Sequence, residues 1–442
     1  MSELIYMFAS LADRHRDGVT SLDGMRLLSD TLHPLGVKIT WIVSPESARI
    51  AQKELTRWHG DFGDDIAVAT PALAGSLDDK KKQMASTREA IQKALPWANL
   101  TIAAWGHQDP EIVRLLGDLG FEGLWGFCWE QIEIDNITDR GCPWGFYYMD
   151  RDERLRPARH QGKPCRGVIG MEWTARDLLK SFHSGNPCIY STDPNDVARG
   201  SICSWEDIEY WKGIADNYIQ NTRYNDHVFL LQHQEAHESE RSDLCKCYTV
   251  EDIKESVAML DRFVRHLKTF PNLKMLTLQE AAQLYRERYD KTPSSYMLWT
   301  DIPTPPPNPD YTWSMPTGPW PKTFLFYDCD AQMMFIENKV EPVCIRNYHR
   351  PWKREDYFAE PFIPRTKLVR NVRYHWDREI EIEVTSPKAM PFGLALWGDY
   401  SLYQLGDCPG LIEGKMLPHE LLFLRYDLQE GKNVFRIQLR GK

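Results

Sequence analysis

The sequence predicts an α/β fold, a distorted (β/α)7-type barrel followed by a C-terminal antiparallel β-sandwich. Up to about residue 290, short apolar runs alternate with segments of helical spacing, which is typical of a parallel sheet with helices outside. Beyond a proline-rich segment, apolar and polar residues alternate singly, which is typical of antiparallel strands with one buried face. We therefore expect a barrel domain over residues 1–295, a linker over 296–322 and a β-sandwich over 323–442.

The predicted elements of the barrel follow one another at regular intervals. Strands are predicted at 5–9, 37–44, 64–70, 99–106, 121–130, 167–173, 227–233 and 273–278. Helices are predicted at 21–35, 46–59, 78–94, 110–119, 174–184, 204–219, 249–268 and 278–289. Ser21 is a typical N-cap, and Gly36 ends the first helix. Residues 131–165, rich in Gly, Pro, Arg and aromatics, are expected to form a long functional loop.

Composition and charge limit the classes of partner. The 442 residues carry a net charge of −10, from 53 Lys and Arg against 63 Asp and Glu, which argues against nucleic acid or an anionic membrane. No apolar run approaches the roughly 18–20 residues of a membrane span. The N-terminus lacks the basic region of a signal peptide, and the ten cysteines are dispersed. We therefore expect reduced thiols and a cytoplasmic protein, with the oligomeric state, homo-oligomers included, left open.

Carboxylates, imidazoles and indoles follow the predicted strands. Active sites of parallel barrels lie at the C-terminal ends of the strands, so these side chains should converge. Paired carboxylates with flat aromatic rings suit a carbohydrate substrate, because the acids can cleave it while the rings pack on the sugar. The predicted substrate-binding residues are Asp13, His15, Trp105, His107, Trp129, Trp144, Glu172, Trp173, His233 and His237.

Two short motifs carry the chemical alternatives. Glu130 follows an apolar strand between aromatic residues, where desolvation should raise its pKa and suit it to act as a nucleophile or general acid. In the segment 233–237, His233 and His237 would share one face of a helix and could bind a metal. If this segment is extended they still share a side, farther apart, and could bind substrate or be structural. Asp13 and His15 suit a metal or a sugar hydroxyl, or a loop salt bridge.

The order of these segments resembles the glycoside hydrolase/deacetylase superfamily, which includes polysaccharide deacetylases with a NodB-type barrel. The resemblance rests on residues 24–44 and 109–127, on a late "Leu-x-His" strand formed here by Leu231 and His233, and on the closing segment 257–285. It covers about residues 1–290. It implies the barrel fold and an activity on carbohydrate.

The departures from the deacetylase pattern bear on the reaction. The resemblance implies a divalent metal held by an Asp and two His, but residues 64–75 contain no His where that pair would stand, and Asp13 is at best a partial substitute. No cofactor is therefore expected. Similarity to glycosidases on such barrels implies Glu130 as nucleophile or base and Glu235 as acid.

Three functions remain open on the sequence alone. The leading prediction is a glycoside hydrolase that acts through Glu130 and Glu235. The first alternative is a deacetylase with a divalent metal, such as zinc, on Asp13, His15, His233 and His237. The second is a catalytically inactive sugar-binding module.

Overall fold

The computed structural model describes most of the chain. The described residues are 2–14, 18–106, 109–127, 145–152, 157–158, 164–172, 177, 209–239, 250–303, 323–328, 333–336, 343–344, 369–375, 378–397, 400, 402–417 and 421–442. The predicted helix at 174–184 lies almost wholly outside these residues, as does most of the predicted linker. The chain divides into two compact units, the first formed by residues 1–222, 226–293 and 300–321, and the second by 223–225, 294–299 and 322–442.

The first unit is built on one curled sheet. Its described strands are β1 (Glu3–Leu11), β2 (Ile39–Val43), β3 (Asp65–Ala69), β4 (Ile102–Ala104), β5 (Gly123–Phe127), β6 (Phe146–Tyr148), β7 (Ile169–Glu172), β8 (His227–His233) and β9 (Leu273–Met275). The strand order is β6-β7-β5-β4-β3-β2-β1-β8, and β9 pairs with the first half of β1. Every described pairing is parallel except that of β6 with β7.

Helices connect these strands as the periodicity predicts. They are α1 (Leu22–Leu32), α2 (Pro45–Ile50), α3 (Gln52–Phe62), α4 (Leu77–Ala94), α5 (Ile112–Asp118), α6 (Glu209–Gln220), α7 (Val250–Leu267) and α8 (Leu278–Arg288). Ser44, Ser76 and Thr277 each close a capping box with the residue three positions on, which satisfies backbone N–H groups at the starts of α2, α4 and α8. The predicted helix 46–59 is two helices that meet at Ala51.

The sheet curls until the strands at its two edges, β6 and β8, lie next to each other. Phe146 of β6 and Phe229 of β8 stack with ring centroids 4.3 Å apart. The interior cluster takes alternate residues of each strand, such as Met7 and Ala9 of β1 and Leu231 of β8. The α/β barrel architecture that the sequence predicted is therefore confirmed.

Helix α8 lies across the N-terminal end of the barrel. Leu278, Ala281 and Tyr285 belong to the interior cluster. Gln279 donates to the carbonyls of Ile66 and Asn99, at the starts of β3 and β4. Because the same helix fills and caps this end, the opposite end of the barrel is where a substrate could enter.

Strand β6 corrects the prediction of one long loop over 131–165. Phe146–Tyr148 is buried and pairs antiparallel with β7. The backbone N–H of Tyr148 donates to the Thr292 hydroxyl at 2.9 Å. The aromatic residues here are therefore part of the barrel wall. The sequence did not predict this strand, because three residues between glycine-rich segments give too short a pattern to be recognised.

The second unit consists of antiparallel sheets. One contains β10 (Ser295–Trp299), β11 (Thr323–Asp328), β12 (Met333–Ile336) and β13 (Val343–Cys344). A second contains β14 (Val369–His375), β15 (Glu379–Ser386), β17 (Tyr403–Leu405) and β20 (Gly431–Gly441), and a third contains β16 (Met390–Trp397), β18 (Leu411–Leu417) and β19 (Leu421–Leu428). The last two share one core, which confirms the predicted sandwich.

The described helices give no candidate for a membrane span, since none of them combines sufficient length with sufficient apolarity.

Candidate active site

The C-terminal ends of the strands bring several predicted residues together. We call this end the barrel mouth and define it by Asp13, Trp105, Trp125, His233, Glu235 and His237. Asp13 follows β1, Trp105 follows β4, Trp125 lies on β5, and the other three end or follow β8. Parallel strands place these side chains at one edge of the sheet, as the sequence predicts.

Strand β8 carries the reactive part of the mouth. Its pairing with β1 continues past His233, because the Gln234 N–H donates to the Ala9 carbonyl and the Ala236 N–H to the Leu11 carbonyl at 3.0 Å. The backbone is therefore extended through this segment, and side chains two residues apart share a face. His233 and Glu235 accordingly lie on the same side of the chain, the side of Leu231 in the barrel interior.

A turn then brings His237 back to Glu235. A 3-10 turn begins at His237. The Nε2 atom of His237 lies 3.5 Å from Oε2 of Glu235. Glu235 is 6% exposed and His237 is 5% exposed. One ligand atom from each of Glu235, His237 and Glu238 lies within 4.8 Å of the others. A carboxyl and an imidazole that are this close together and this well shielded from solvent can act together in proton transfer or bind a cation.

The ring of His233 is held from two sides. Its Nδ1 lies 2.9 Å from the Ala9 carbonyl, which can only accept, so Nδ1 carries the proton and the neutral ring has its lone pair on Nε2. The ring centroid lies 4.7 Å from that of Trp125. His233 is thus fixed in one tautomer and one orientation at the floor of the mouth.

Trp105 adopts an unusual backbone conformation. Its φ of 61° is the one left-handed value among the described non-glycine residues. For a bulky residue this costs on the order of 1–3 kcal/mol, and such strain clusters at functional sites. Its ring meets that of Trp125 edge to face, with centroids 5.4 Å apart. Trp105, Trp125 and His233 therefore form a row of rings across the mouth.

Asp13 is tied down by hydroxyl groups. Its Oδ1 accepts a hydrogen bond from Thr20 at 3.0 Å, and its Oδ2 accepts one from Ser47 at 2.9 Å. At the end of β3, where deacetylases of this type place two His, the chain has Ala69 and Thr70, and the Thr70 hydroxyl donates to the Trp105 carbonyl. These residues do not fit the Asp and two His that the deacetylase resemblance implies.

Glu172 occupies a different environment from the other predicted residues. It ends β7 and is fully buried. Ile169 and Met171 belong to the interior cluster, and because strand side chains alternate, Glu172 lies on the opposite face from Met171. The structure therefore does not bring Glu172 to the same face as the ring row.

Six predicted site residues lie outside the described residues. They are His15, His107, Trp129, Glu130, Trp144 and Trp173. Sequence reasoning missed Trp125, Ser47, Thr20 and Glu238. Trp125 was available as an inward-facing position of the predicted strand 121–130, whereas Ser47 and Thr20 could be recognised only through their contact with Asp13.

Comparison with known proteins identifies a matching domain family and solved structures of similar fold. The model of a domain family of unknown function with a solved structure, DUF3863, matches residues 12–315. No curated protein matches the chain. A crystal structure from Parabacteroides distasonis, described as a candidate glycoside hydrolase/deacetylase, is similar over 77% of this chain and 83% of its own, with a TM-score of 0.56 and 10% identity. A Mycobacterium smegmatis protein described as a candidate polysaccharide deacetylase covers 65% of this chain and 91% of its own at 12% identity, with a TM-score of 0.43.

At these identities the likeness concerns the fold. The Parabacteroides structure has a similar fold, in agreement with the barrel that the sequence predicted. It leaves the reaction to be argued from the barrel mouth.

Proposed function

We propose that this chain, which belongs to the DUF3863 family, is a carbohydrate-active hydrolase that cleaves a glycosidic bond at its barrel mouth. The observation that carries the proposal is the Glu235–His237 pair, nearly buried, 3.5 Å apart and beside a row of aromatic rings. The Parabacteroides structure with a similar fold is described as a candidate glycoside hydrolase/deacetylase, which supports a carbohydrate substrate here.

Glu235 acts as the general acid in the proposed mechanism. It shares the inward side of the chain with His233, so its proton can reach a bond held over the ring row. His237, 3.5 Å from Glu235, orients the carboxyl, and its ring N–H can donate to the carboxylate that remains after the proton has moved to the leaving group. Such contacts shorten when substrate excludes water from the site.

Glu130 is the proposed second carboxylate, the nucleophile or base, on the sequence argument. If its carboxyl lies about 5–5.5 Å from that of Glu235, the reaction retains anomeric configuration, and at about 6.5–9.5 Å it inverts it. This mechanism requires no cofactor and uses only side chains of the protein.

Metal-dependent deacetylation is the second candidate function. The grouping of Glu235, His237 and Glu238 within 4.8 Å favours it, because this set could hold a divalent cation through two carboxylates and one imidazole. Only His237 is shared with the metal set predicted from the sequence. A metal there would polarise an acetyl carbonyl for attack by water.

Turnover of aryl glycosides tests the first proposal. Glu235→Gln keeps the size of the side chain and removes its acid, so kcat should fall by about 10²–10⁴-fold. The melting temperature should stay within about 2 °C of the wild type, since the change is isosteric. Glu54→Gln is the matched control, because Glu54 pairs with Arg26 on the outer helices, and its kcat should be unchanged.

The outcomes separate the two candidate functions. Wild-type kcat in Glu235→Gln would remove Glu235 from the mechanism. Stoichiometric metal in protein purified without a tag, lost in Glu238→Gln, together with acetate release from an acetylated oligosaccharide, would favour the deacetylase. If the protein neither hydrolyses aryl glycosides nor releases acetate from an acetylated oligosaccharide, the sugar-binding module would be favoured.

A further inference from the structure

The chain bends after β4 in a conformation that needs support from its surroundings. Trp105 and Gly106 are both in the left-handed region, with φ of 61° and 79°. The Trp105 N–H donates to the Trp125 carbonyl at 3.0 Å, and the Trp105 carbonyl accepts from the Thr70 hydroxyl at 3.0 Å. Strained backbone of this kind persists only where neighbouring groups hold it. Contacts made beyond Gly106 therefore also bear on where the Trp105 ring lies.

Asp109 holds the far side of this bend. Its backbone N–H donates to the Gly106 carbonyl at 3.0 Å. Its Oδ1 accepts from the Glu111 N–H at 2.9 Å, and its Oδ2 lies 2.7 Å from the Lys80 ammonium. Lys80 lies in the first turn of α4, the helix that follows β3, and so at the mouth end of the barrel. One residue thus joins the backbone beside Trp105 to a helix of the outer layer.

The ion pair of Lys80 is better shielded than an ordinary surface pair. The side chains of Lys80 and Asp109 are each 13% exposed, and the ammonium also lies 3.1 Å from a Glu111 carboxylate oxygen. The hydrogen bond to Asp109 raises the pKa of Lys80, so the side chain stays charged at neutral pH. Fully exposed ion pairs contribute little because water competes for both partners. This pair is positioned to fix Asp109, and with it the bend.

Resting on the proposed function, we propose that Lys80 is a positioning residue of the barrel mouth, which holds Trp105 against Trp125 through Asp109. The two rings meet edge to face with centroids 5.4 Å apart, and Trp125 in turn lies 4.7 Å from the His233 ring. Without the Lys80 charge, Asp109 loses its anchor on α4 and the ring row loses the fixed position of Trp105. Lys80 acts through these residues and takes no part in proton transfer, so substrate binding should suffer more than the chemical step.

Circular dichroism tests the position of the two indoles without any substrate. Indoles in contact couple their electronic transitions and give a couplet, which Trp105→Gly, a change that accepts positive φ, would identify by its loss. Lys80→Met keeps the length of the side chain and removes its charge, so this variant should lose most of the couplet. Lys80→Arg keeps the charge and should retain most of it.

Kinetics on the preferred aryl glycoside test the role of Lys80 in the reaction. In Lys80→Met, KM should rise about tenfold while kcat changes by less than about threefold, as expected when substrate and transition state lose the same binding energy. Asp109→Asn should have a similar effect. The double variant should be no worse than either single variant, because both changes break the same interaction.

Lys81 supplies the matched control. It is the next residue of α4, and its ammonium lies 2.7 Å from Asp118, the last residue of α5. Lys81→Met therefore removes a comparable ion pair that has no contact with the bend, and it should leave both the couplet and KM unchanged. If Lys80→Met does not fold, Asp109→Asn takes its place in both measurements.

Each result has a distinct meaning. A couplet that survives in Lys80→Met, or that Lys81→Met weakens as much, overturns the positioning role, as does a spectrum that Trp105→Gly leaves unchanged. A lost couplet with an unchanged KM overturns the role of Lys80 in substrate binding. Loss of the couplet in Lys80→Met and its recovery in Lys80→Arg, for a protein whose wild type turns over no glycoside, would uphold the positioning of Trp105 and refute the proposed function.

Discussion

The two ends of the barrel are built from opposite kinds of contact. At the N-terminal end, helix α8 covers the strands, and Arg286 donates to the Glu122 carbonyl at 3.1 Å and to the Gly167 carbonyl at 2.7 Å. At the mouth, the chain holds Trp105 in a strained conformation and packs Glu235 against His237. The N-terminal end is arranged for stability, whereas the mouth holds its side chains in an arrangement that lowers the stability of the fold.

Asp64, at the N-terminal end, is a buried carboxylate with several hydrogen-bond donors. It is fully buried and accepts from the His33 ring at 2.9 Å, from the Ile39 N–H at 2.9 Å and from the Trp41 indole at 2.7 Å. The other nitrogen of His33 contacts the Ser29 hydroxyl at 2.8 Å. Ser29, His33 and Asp64 resemble a hydrolytic triad, but all three are buried beneath α3 and no substrate can reach them, so their role is structural.

Asp64→Ala should have the largest effect on stability. It leaves three donors in the core with no acceptor, and breaking such a network costs about 3–5 kcal/mol. Urea denaturation would measure the loss. The control is Asp61→Ala, an exposed position three residues earlier, which should change the free energy of unfolding by less than about 0.5 kcal/mol. An Asp64→Ala protein of normal stability would mean that this end is not the stabilising one.

Gly24→Ala should have the next largest effect, and it acts at the mouth. A Cβ on Gly24 of α1 would lie 1.8 Å from the Ala236 carbonyl oxygen, between Glu235 and His237. The segment must move to admit it, and displacements of about 1 Å can cost 10²-fold in rate. We expect kcat on the preferred glycoside to fall by about that factor.

Gly60→Ala is the control for that substitution. Gly60 lies within α3, and a Cβ there meets no heavy atom within 4 Å. Alanine should therefore stabilise the helix by about 0.5–1 kcal/mol and leave kcat unchanged. If Gly24→Ala behaves like Gly60→Ala, close packing of α1 against the Glu235–His237 segment does not matter for the reaction.

The sequence predicted the bounds of the helices and strands better than it predicted where they pack in the barrel. The run 227–233 is β8 residue for residue, because its apolar pattern reports burial directly. The helix at 278–289 was also predicted, yet a helical pattern gives only the buried face and not the barrel end that the face covers. His237 was predicted as a site residue, but its contact with Glu235 was not, because that contact comes from a 3-10 turn after an extended segment and neither regular period describes the combination.

Asp65 should show the smallest effect, and a pH dependence identifies it. Burial raises its pKa to about 6, with Glu280 and Asp64 adding to the shift, while the Ile66 N–H and His59 oppose it. The folded pKa lies above the ordinary 3.8, so the folded state holds the proton more tightly. Asp65 therefore favours folding fully below about pH 4, and this contribution is lost as the pH rises through about 6.

Asp65→Asn removes that ionisation while its amide oxygen can still accept from the Ile66 N–H. We expect the variant to exceed the wild type by about 1–2 kcal/mol at pH 7 and to match it near pH 4. Thermal unfolding across this range would show the two stability curves converging as the pH falls. Parallel curves would mean that the Asp65 carboxyl is hydrated when charged, and that the N-terminal end of the barrel is less dry than the burial of its neighbour Asp64 implies.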